Sequence, residues 1–325
     1  MNESEYILEV KHLCQHFTSG SGKNKITVKA VDDVSFGIRP AETFGLVGES
    51  GCGKTTTGRT IIRLYNPSSG EVYFNGVNIS GKMTSQLRKY LTENIAMIFQ
   101  DPIESLNPKM TIQEIIGEGL KIRGIRNKTE IHRRVVEILN KVGLTDEHAT
   151  RYPHEFSGGQ RQRIGIARAM IVKPKLIIAD EPVSALDVSI QAQVINLLND
   201  LKEEMGLTIL FIAHNLSVVK YFSDRIGVMY YGRLMEVAKG DDLYAKPLHP
   251  YTRALLSAIP EPNPITERTR KRFDYDPARD HDYSTETPTM VEVEPDHFVY
   301  CSPSELEKYR KELAQGPQTD CPKNK

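Results

Sequence analysis

Cysteine is scarce in this sequence. Cys14, Cys52, Cys301 and Cys321 are its four thiols, and no two stand close enough to suggest a zinc knuckle or a disulfide framework. A reducing compartment is the expectation that follows. Long apolar runs are missing too: Leu207–Ala213, with one Thr inside, falls far short of the ~20 residues a membrane-spanning helix needs. Neither sign of charge is in excess, since 42 Lys and Arg balance 42 Asp and Glu. That removes a global pull towards nucleic acid or acidic lipid and weakens polyanion binding as the main activity. The opening MNESEYILEV has no basic region followed by an apolar stretch, so no secretory signal is expected.

What is present is enough apolar material, 39% of 325 residues, for one large domain with appendages. Glu5–Val10 and Val28–Ile38 read as short strands joined through a polar turn with Gly20 and Gly22. The apolar burst Phe44–Val47 stops at Gly48 and is followed by a helical stretch, Thr55–Leu64. Glu71–Phe74 and Ile95–Phe99 are further strand candidates around a polar segment. From Pro102 onward the pattern turns helical, with Ile131, Val135, Ile138, Leu139 and Val142 on one stripe before Gly143. Leu176–Ala179, Leu207–Ala213 and Ile226–Tyr230 resume buried strands, and Val194, Leu197, Leu198, Leu201 and Met205 stripe an intervening helix that ends at Gly206. Such runs suit the covered strands of an α/β core. Residues 261–300 change character: ten acidic against five basic side chains, with Pro262, Pro264, Pro277, Pro288 and Pro295 breaking any long periodic element. They read as an extended accessory tail with partial order.

The strand, glycine loop and helix around residue 48 give the pattern its chemistry. Gly48-Glu49-Ser50-Gly51-Cys52-Gly53-Lys54-Thr55, with Thr56 next, fits a phosphate loop. Its glycines let backbone N–H groups turn inward around phosphates, and the helix N-terminus adds a favourable dipole. Lys54 can reach the β- and γ-phosphates, and Thr55 can place its hydroxyl on Mg²⁺. The apolar strand Leu176–Ala179 carries Asp180 and Glu181 at its end, one carboxylate suited to hydrated Mg²⁺ and the other to orienting water. A solvated strand end is the bland alternative for that pair, and a flexible surface turn is the one for the glycines.

These residues, with Phe156-Ser157-Gly158-Gly159-Gln160 ahead of the acidic strand, resemble the ATP-binding cassette family. The family's signature motif usually begins with Leu; Phe156 departs from it but preserves the bulk. The resemblance implies an α/β fold with a phosphate-loop NTPase core, an N-terminal antiparallel β layer, a helical insertion at about 102–170 and a C-terminal accessory tail. It places a cassette over residues 1–260 and an extension over 261–325. ATP and Mg²⁺ are the implied ligands. Gln100 matches the position that senses Mg²⁺, Ser184–Asp187 the loop that crosses the nucleotide sandwich, and His214 the switch histidine at the γ-phosphate. Phe17, in the early loop, matches the region that stacks on adenine; Tyr6 is the alternative, and packing within the strand layer is the structural reading of Phe17. The implied mechanism needs two cassettes, one supplying Lys54, Thr55, Gln100, Asp180, Glu181 and His214 and the other its signature residues.

Asp101–Pro108 after Gln100, His249-Pro-Tyr-Thr-Arg-Ala-Leu-Leu256, and Phe298–Cys301 with the charged helix candidate after it resemble the ATP-binding subunits of oligopeptide and dipeptide importers, the second subunit of the pair in particular. This implies a second homologous ATPase subunit, two transmembrane permeases, an extracellular solute-binding protein delivering peptide, and a peripheral position on the cytoplasmic face of the cell membrane. Nickel or another small solute is the alternative cargo. Some members carry a tail iron–sulfur cluster, but Cys301 and Cys321 alone do not supply four thiolates, so no cluster is expected. A soluble regulator binding nucleic acid is the competing class, its warrant being the basic stretch Lys121, Arg123, Arg126, Lys128, Arg133 and Arg134. Charge runs are usually solvated faces, and no nucleic-acid partner is expected. A non-hydrolysing scaffold would have no chemical need for Lys54, Asp180, Glu181 and His214 together.

Overall fold

A computed structural model describes residues 5–20, 25–259 and 272–314. Among these the strands are β1 Leu8–Ser19, β2 Ile26–Ile38, β3 Thr43–Val47, β4 Ser69–Phe74, β5 Val77–Asn78, β6 Ile95–Ile98, β7 Leu176–Asp180, β8 Thr208–Ala213, β9 Arg225–Tyr230, β10 Arg233–Lys239, β11 Thr289–Glu294 and β12 His297–Cys301. The α-helices are α1 Lys54–Ile61, α2 Ser85–Asn94, α3 Ile112–Ile122, α4 Lys128–Lys141, α5 Gly158–Met170, α6 Val188–Met205, α7 Leu216–Phe222, α8 Gly240–Ala245, α9 Pro250–Ser257, α10 Pro277–Asp280 and α11 Pro303–Ala314. A four-stranded antiparallel sheet has the order β2-β1-β4-β5, and an eight-stranded sheet the order β11-β12-β10-β9-β3-β8-β7-β6.

The stretch from β9 to β6 is parallel, and its inner strands read as unbroken apolar runs because both faces are covered. Side chains alternate between those faces. Ile177, Ala179, Ile209, Phe211 and Ala213 join the core shared with α3 to α7. Leu176, Ile178, Leu210 and Ile212 join the core under the antiparallel sheet, where Phe36 stacks on Phe44 at 5.0 Å. Truncating a fully buried ring such as Phe211 would cost about 3–5 kcal/mol, because a close-packed core collapses only partly around the void.

Helix ends obey local chemistry. α3 begins at a Thr111–Glu114 capping box, α4 at Asn127, whose side chain accepts from the N–H groups of Thr129 and Glu130, and α6 stops at Gly206, which supplies the left-handed φ of 61°. The α4 stripe Ile131, Val135, Ile138 and Leu139 is buried, as its spacing requires.

Three features differ from the sequence reading. β1 runs on to Ser19, so Phe17 lies in a strand rather than an early loop. The polar segment before β6 contains α2, whose N-cap Thr84 accepts from the Leu87 N–H while Leu91 alone is buried; so narrow an apolar face leaves little periodic signal. The accessory tail returns to the sheet: β12 pairs with β10 through Glu236↔Val299 and Val237↔Phe298, and β11 pairs with β12. Pro288 and Pro295 stand just outside β11 and therefore do not interrupt it. Gly22 and Cys321, singled out from the sequence, lie outside the described residues.

Candidate functional site

Register brings the chemistry to one edge. Val47 pairs with Ala213, Asp180 with Ile212 and Ile98 with Ala179, so the segments leaving β3, β6, β7 and β8 emerge together at the carboxyl ends of parallel strands. That edge is where open α/β sheets bind ligands. Leaving β3, the chain turns through Gly48–Gly53 into α1. Gly53 sits at the helix N-cap with φ 107°, and a Cβ there would lie 2.1 Å from the Ala30 carbonyl oxygen, so only glycine fits. No side chain caps α1. Among the described residues the N–H groups of Ser50, Gly51, Gly53, Lys54, Thr55 and Thr56 have no protein acceptor. A turn of uncommitted amides ahead of a helix is a ready anion cradle.

Lys54 is buried, and its Nζ donates to the Gly48 and Glu49 carbonyl oxygens at 2.8 Å each. Thr55 Oγ1 donates to Asp180 Oδ1 at 2.7 Å. Asp180 is fully buried; its Oδ2 has no hydrogen-bond partner, and Arg59 Nη2 stands 3.9 Å away. Burial pushes the Asp180 carboxyl above its ordinary value, against the Thr55 hydrogen bond and the Arg59 charge. A buried, under-satisfied carboxylate oxygen beside a hydroxyl is a donor set that suits a hard divalent cation.

Glu181 follows with φ 45°, and its N–H is tied to the Ile212 carbonyl at 2.9 Å. Its Oε2 accepts from Gln100 Nε2 at 3.0 Å and lies 3.1 Å from His214 Nδ1. Three residues from three strand ends, 33 and 81 positions apart from Glu181 in the chain, thus meet on one carboxylate.

Residues 31–184 match the family model for the ABC transporter, and residues 235–283 that for the oligopeptide/dipeptide transporter C-terminal region. The chain is 59% identical over 307 residues to the oligopeptide transport ATP-binding protein OppF of Bacillus subtilis (strain 168), covering 94% of this chain and 99% of that one. It is 52% identical over 315 residues to the dipeptide transport ATP-binding protein DppF of Lactococcus lactis subsp. cremoris (strain MG1363), covering 96% and 99%. The chain belongs to the ATP-binding cassette transporter family. Among solved structures it resembles the dimeric post-hydrolysis state of the ATP-binding cassette MJ0796 bound to ADP and Pi, with a TM-score of 0.64 and 30% identity over 71% of this chain and 98% of that one.

The other residues singled out in this cassette stand apart from that edge's hydrogen bonds. Ser157 caps α5: its Oγ accepts from the Gln160 N–H at 3.3 Å while Gln160 Oε1 accepts from the Ser157 N–H at 3.0 Å. Among the described residues no hydrogen bond joins Ser157, Gly158, Gly159 or Gln160 to the phosphate loop. Asp187 caps α6, accepting from the Ile190 N–H at 3.0 Å and from Ser189 Oγ at 2.7 Å. Phe17 is exposed on β1, its ring edge-on to Tyr65 at 5.2 Å. Cys301 is buried in β12, where burial pushes its thiol up to about 11. Sequence reasoning missed two neighbours of the cassette's site. Arg59, one turn into α1, carried no motif; Tyr251 sits inside the quoted His249–Leu256 segment, yet its contact with the loop spans 202 positions.

Proposed function

We propose that this chain is the ATP-binding and hydrolysing subunit of an importer for oligopeptides or dipeptides, working peripherally at the cytoplasmic face of the cell membrane. The observation that carries the reading is the meeting of Gln100, Glu181 and His214 beside the Lys54–Thr55–Asp180 cluster, in a chain whose relatives are named for oligopeptide and dipeptide transport.

The chemistry follows from where the groups sit. The free amides from Ser50 to Thr56 receive the phosphates, and Lys54 exchanges its two carbonyl partners for phosphate oxygens. Thr55 and Asp180, with Gln100, would hold Mg²⁺, which supplies charge neutralisation on the phosphoryl oxygens. Glu181 orients the attacking water and accepts its proton, with Gln100 and His214 holding the carboxylate in place. His214 contacts the γ-phosphate, and Phe17 stacks on the adenine. Ser157, Gly158, Gly159 and Gln160 serve the nucleotide of an opposing cassette, and Asp187 lies on the loop that crosses between the two. The cassette is therefore half of an engine, paired with a second homologous ATPase subunit. Two permeases and an extracellular solute-binding protein complete the importer. No described helix is long and apolar enough to cross a membrane.

The test is to purify the complex from gently solubilised membranes, count its subunits and assay ATP-dependent uptake of labelled peptides in proteoliposomes. A second ATPase, two multispanning permeases and peptide uptake are expected. A soluble complex without permeases, or uptake of a metal ion and not of peptides, would overturn the reading.

A further inference from the structure

Among the described residues, one side chain of α9 hydrogen-bonds to the phosphate loop. Tyr251, in α9, is 2% exposed, and its Oη accepts from the Glu49 N–H at 3.2 Å. The ring is wedged against Tyr230, with centroids 4.4 Å apart, and against Tyr275 at 5.4 Å. Its backbone is fixed as well: the Tyr251 N–H donates to His249 Nδ1 at 3.1 Å, which caps the helix. The N–H groups of Leu248 and His249 donate to the fully buried Glu236 carboxylate at 2.9 and 3.0 Å, and His297 Nε2 lies 2.8 Å from that same carboxylate. A continuous set of bonds thus runs from β12 and β10 through α9 to the loop.

We infer that Tyr251 is a positioning residue of the ATP site, its hydroxyl holding the Glu49 peptide so that the C-terminal clasp sets nucleotide affinity. The inference rests on the proposed binding of ATP at this loop. A loop with six uncommitted amides keeps its shape only if its rim is pinned, since free backbone donors otherwise seek other acceptors. Besides the loop's own turn bond from the Cys52 N–H to the Glu49 carbonyl at 3.3 Å, the rim has three pins: the Glu49 N–H on Tyr251, the Cys52 carbonyl accepting from the Gly232 N–H at 2.8 Å, and Lys54 on the Gly48 and Glu49 carbonyls. The third is the one Lys54 releases when it turns to phosphate, which leaves Tyr251 as the side chain that still holds Glu49. Burial raises the Tyr251 phenol well above its ordinary value, so the hydroxyl stays protonated across the working range.

Tyr251→Phe keeps the ring and removes the acceptor. In the assembled complex we expect the KM for ATP to rise about three- to tenfold, the size set by one net hydrogen bond, with kcat changed by less than about twofold. The Kd for ADP should rise by the same factor, since the loop's own shape is altered. Amide hydrogen exchange adds a direct readout: the Glu49 amide should be protected in the native chain and exchange faster in the variant. Unchanged nucleotide affinity in a folded variant would overturn the inference, as would an unprotected Glu49 amide in the native chain if the variant does not fold. If the native complex binds no ATP, the underlying function fails instead, and the exchange result still decides whether Tyr251 pins the loop.

Discussion

On the proposed function two helix N-termini in this molecule meet phosphate, and they are capped differently. α1 starts behind Gly53 with no side-chain cap and a run of free amides, while α5 starts at Ser157 inside a closed capping box with Gln160. The first is left open to an anion within its own chain, flanked by Lys54, Thr55 and Asp180. The second has its Ser157 and Gln160 N–H groups tied in the capping box, keeps only the Gly158 and Gly159 amides uncommitted, and shares no hydrogen bond with the phosphate loop among the described residues. Under the proposed function, the difference teaches that one cassette carries a receiving half and a donating half of a site, with no hydrogen bond between them among the described residues. On the function proposed above, a second cassette brings its Ser157 counterpart to this chain's nucleotide.

The comparison can be pressed hardest at Glu181. Glu181→Gln should lower kcat in the assembled complex by about 10²–10⁴, the usual contribution of a positioned general base, with ATP affinity kept within about twofold. Unchanged turnover would detach the receiving half from catalysis. Next, Ser157→Asp separates the two duties of the α5 terminus. Aspartate caps a helix about as well as serine, so the thermal midpoint should hold, yet a carboxylate facing γ-phosphate should reduce the assembled ATPase at least about tenfold. Ser157→Ala should instead cost about 1 kcal/mol of stability. An active Ser157→Asp complex would mean that the signature helix does no more than fold.

A smaller effect belongs to the helix terminus behind the loop, where His249 caps α9. Burial first, then the neighbouring His281 and Arg253, hold its imidazole down at about 3. Between that value and the ordinary 6.5 the unfolded chain binds the proton and the native chain does not. Native stability is therefore complete above about pH 6.5 and falls on acidification, by at most about 1.4 kcal/mol per pH unit from this group. His249→Asn, which offers a side-chain oxygen in place of the Nδ1 acceptor and does not titrate, should flatten the acid limb of a denaturant-midpoint profile from pH 7 to pH 5. Parallel profiles would remove His249 from the acid response.

How much of this could be read beforehand depended on whether a signal was local. β3, β7 and β8 stand out because strands covered on both faces carry nothing polar until their ends, and those ends are where Gly48, Asp180 and His214 appear. Family resemblance implies that Gln100, Glu181 and His214 gather around one nucleotide, but their meeting on the Glu181 carboxylate comes about through parallel register, which no window of sequence displays. Tyr251 against Glu49 and Arg59 near Asp180 left no local trace, since each is a packing outcome between distant elements. The β11–β12 hairpin was obscured by its acidic, proline-marked surroundings, although its residues alternate as a strand requires. Phe17 was placed in a loop because the bulges that let β1 continue past Val10 are set by pairing with β2 and β4.

The most direct test of a site completed in trans is the per-chain rate of ATP hydrolysis against chain concentration, with sedimentation counting the protomers and the membrane complex as reference. The account predicts negligible turnover by a monomer and a rate that rises with association to that of the complex. A chain that stays monomeric and hydrolyses ATP at the full rate of the complex would contradict it.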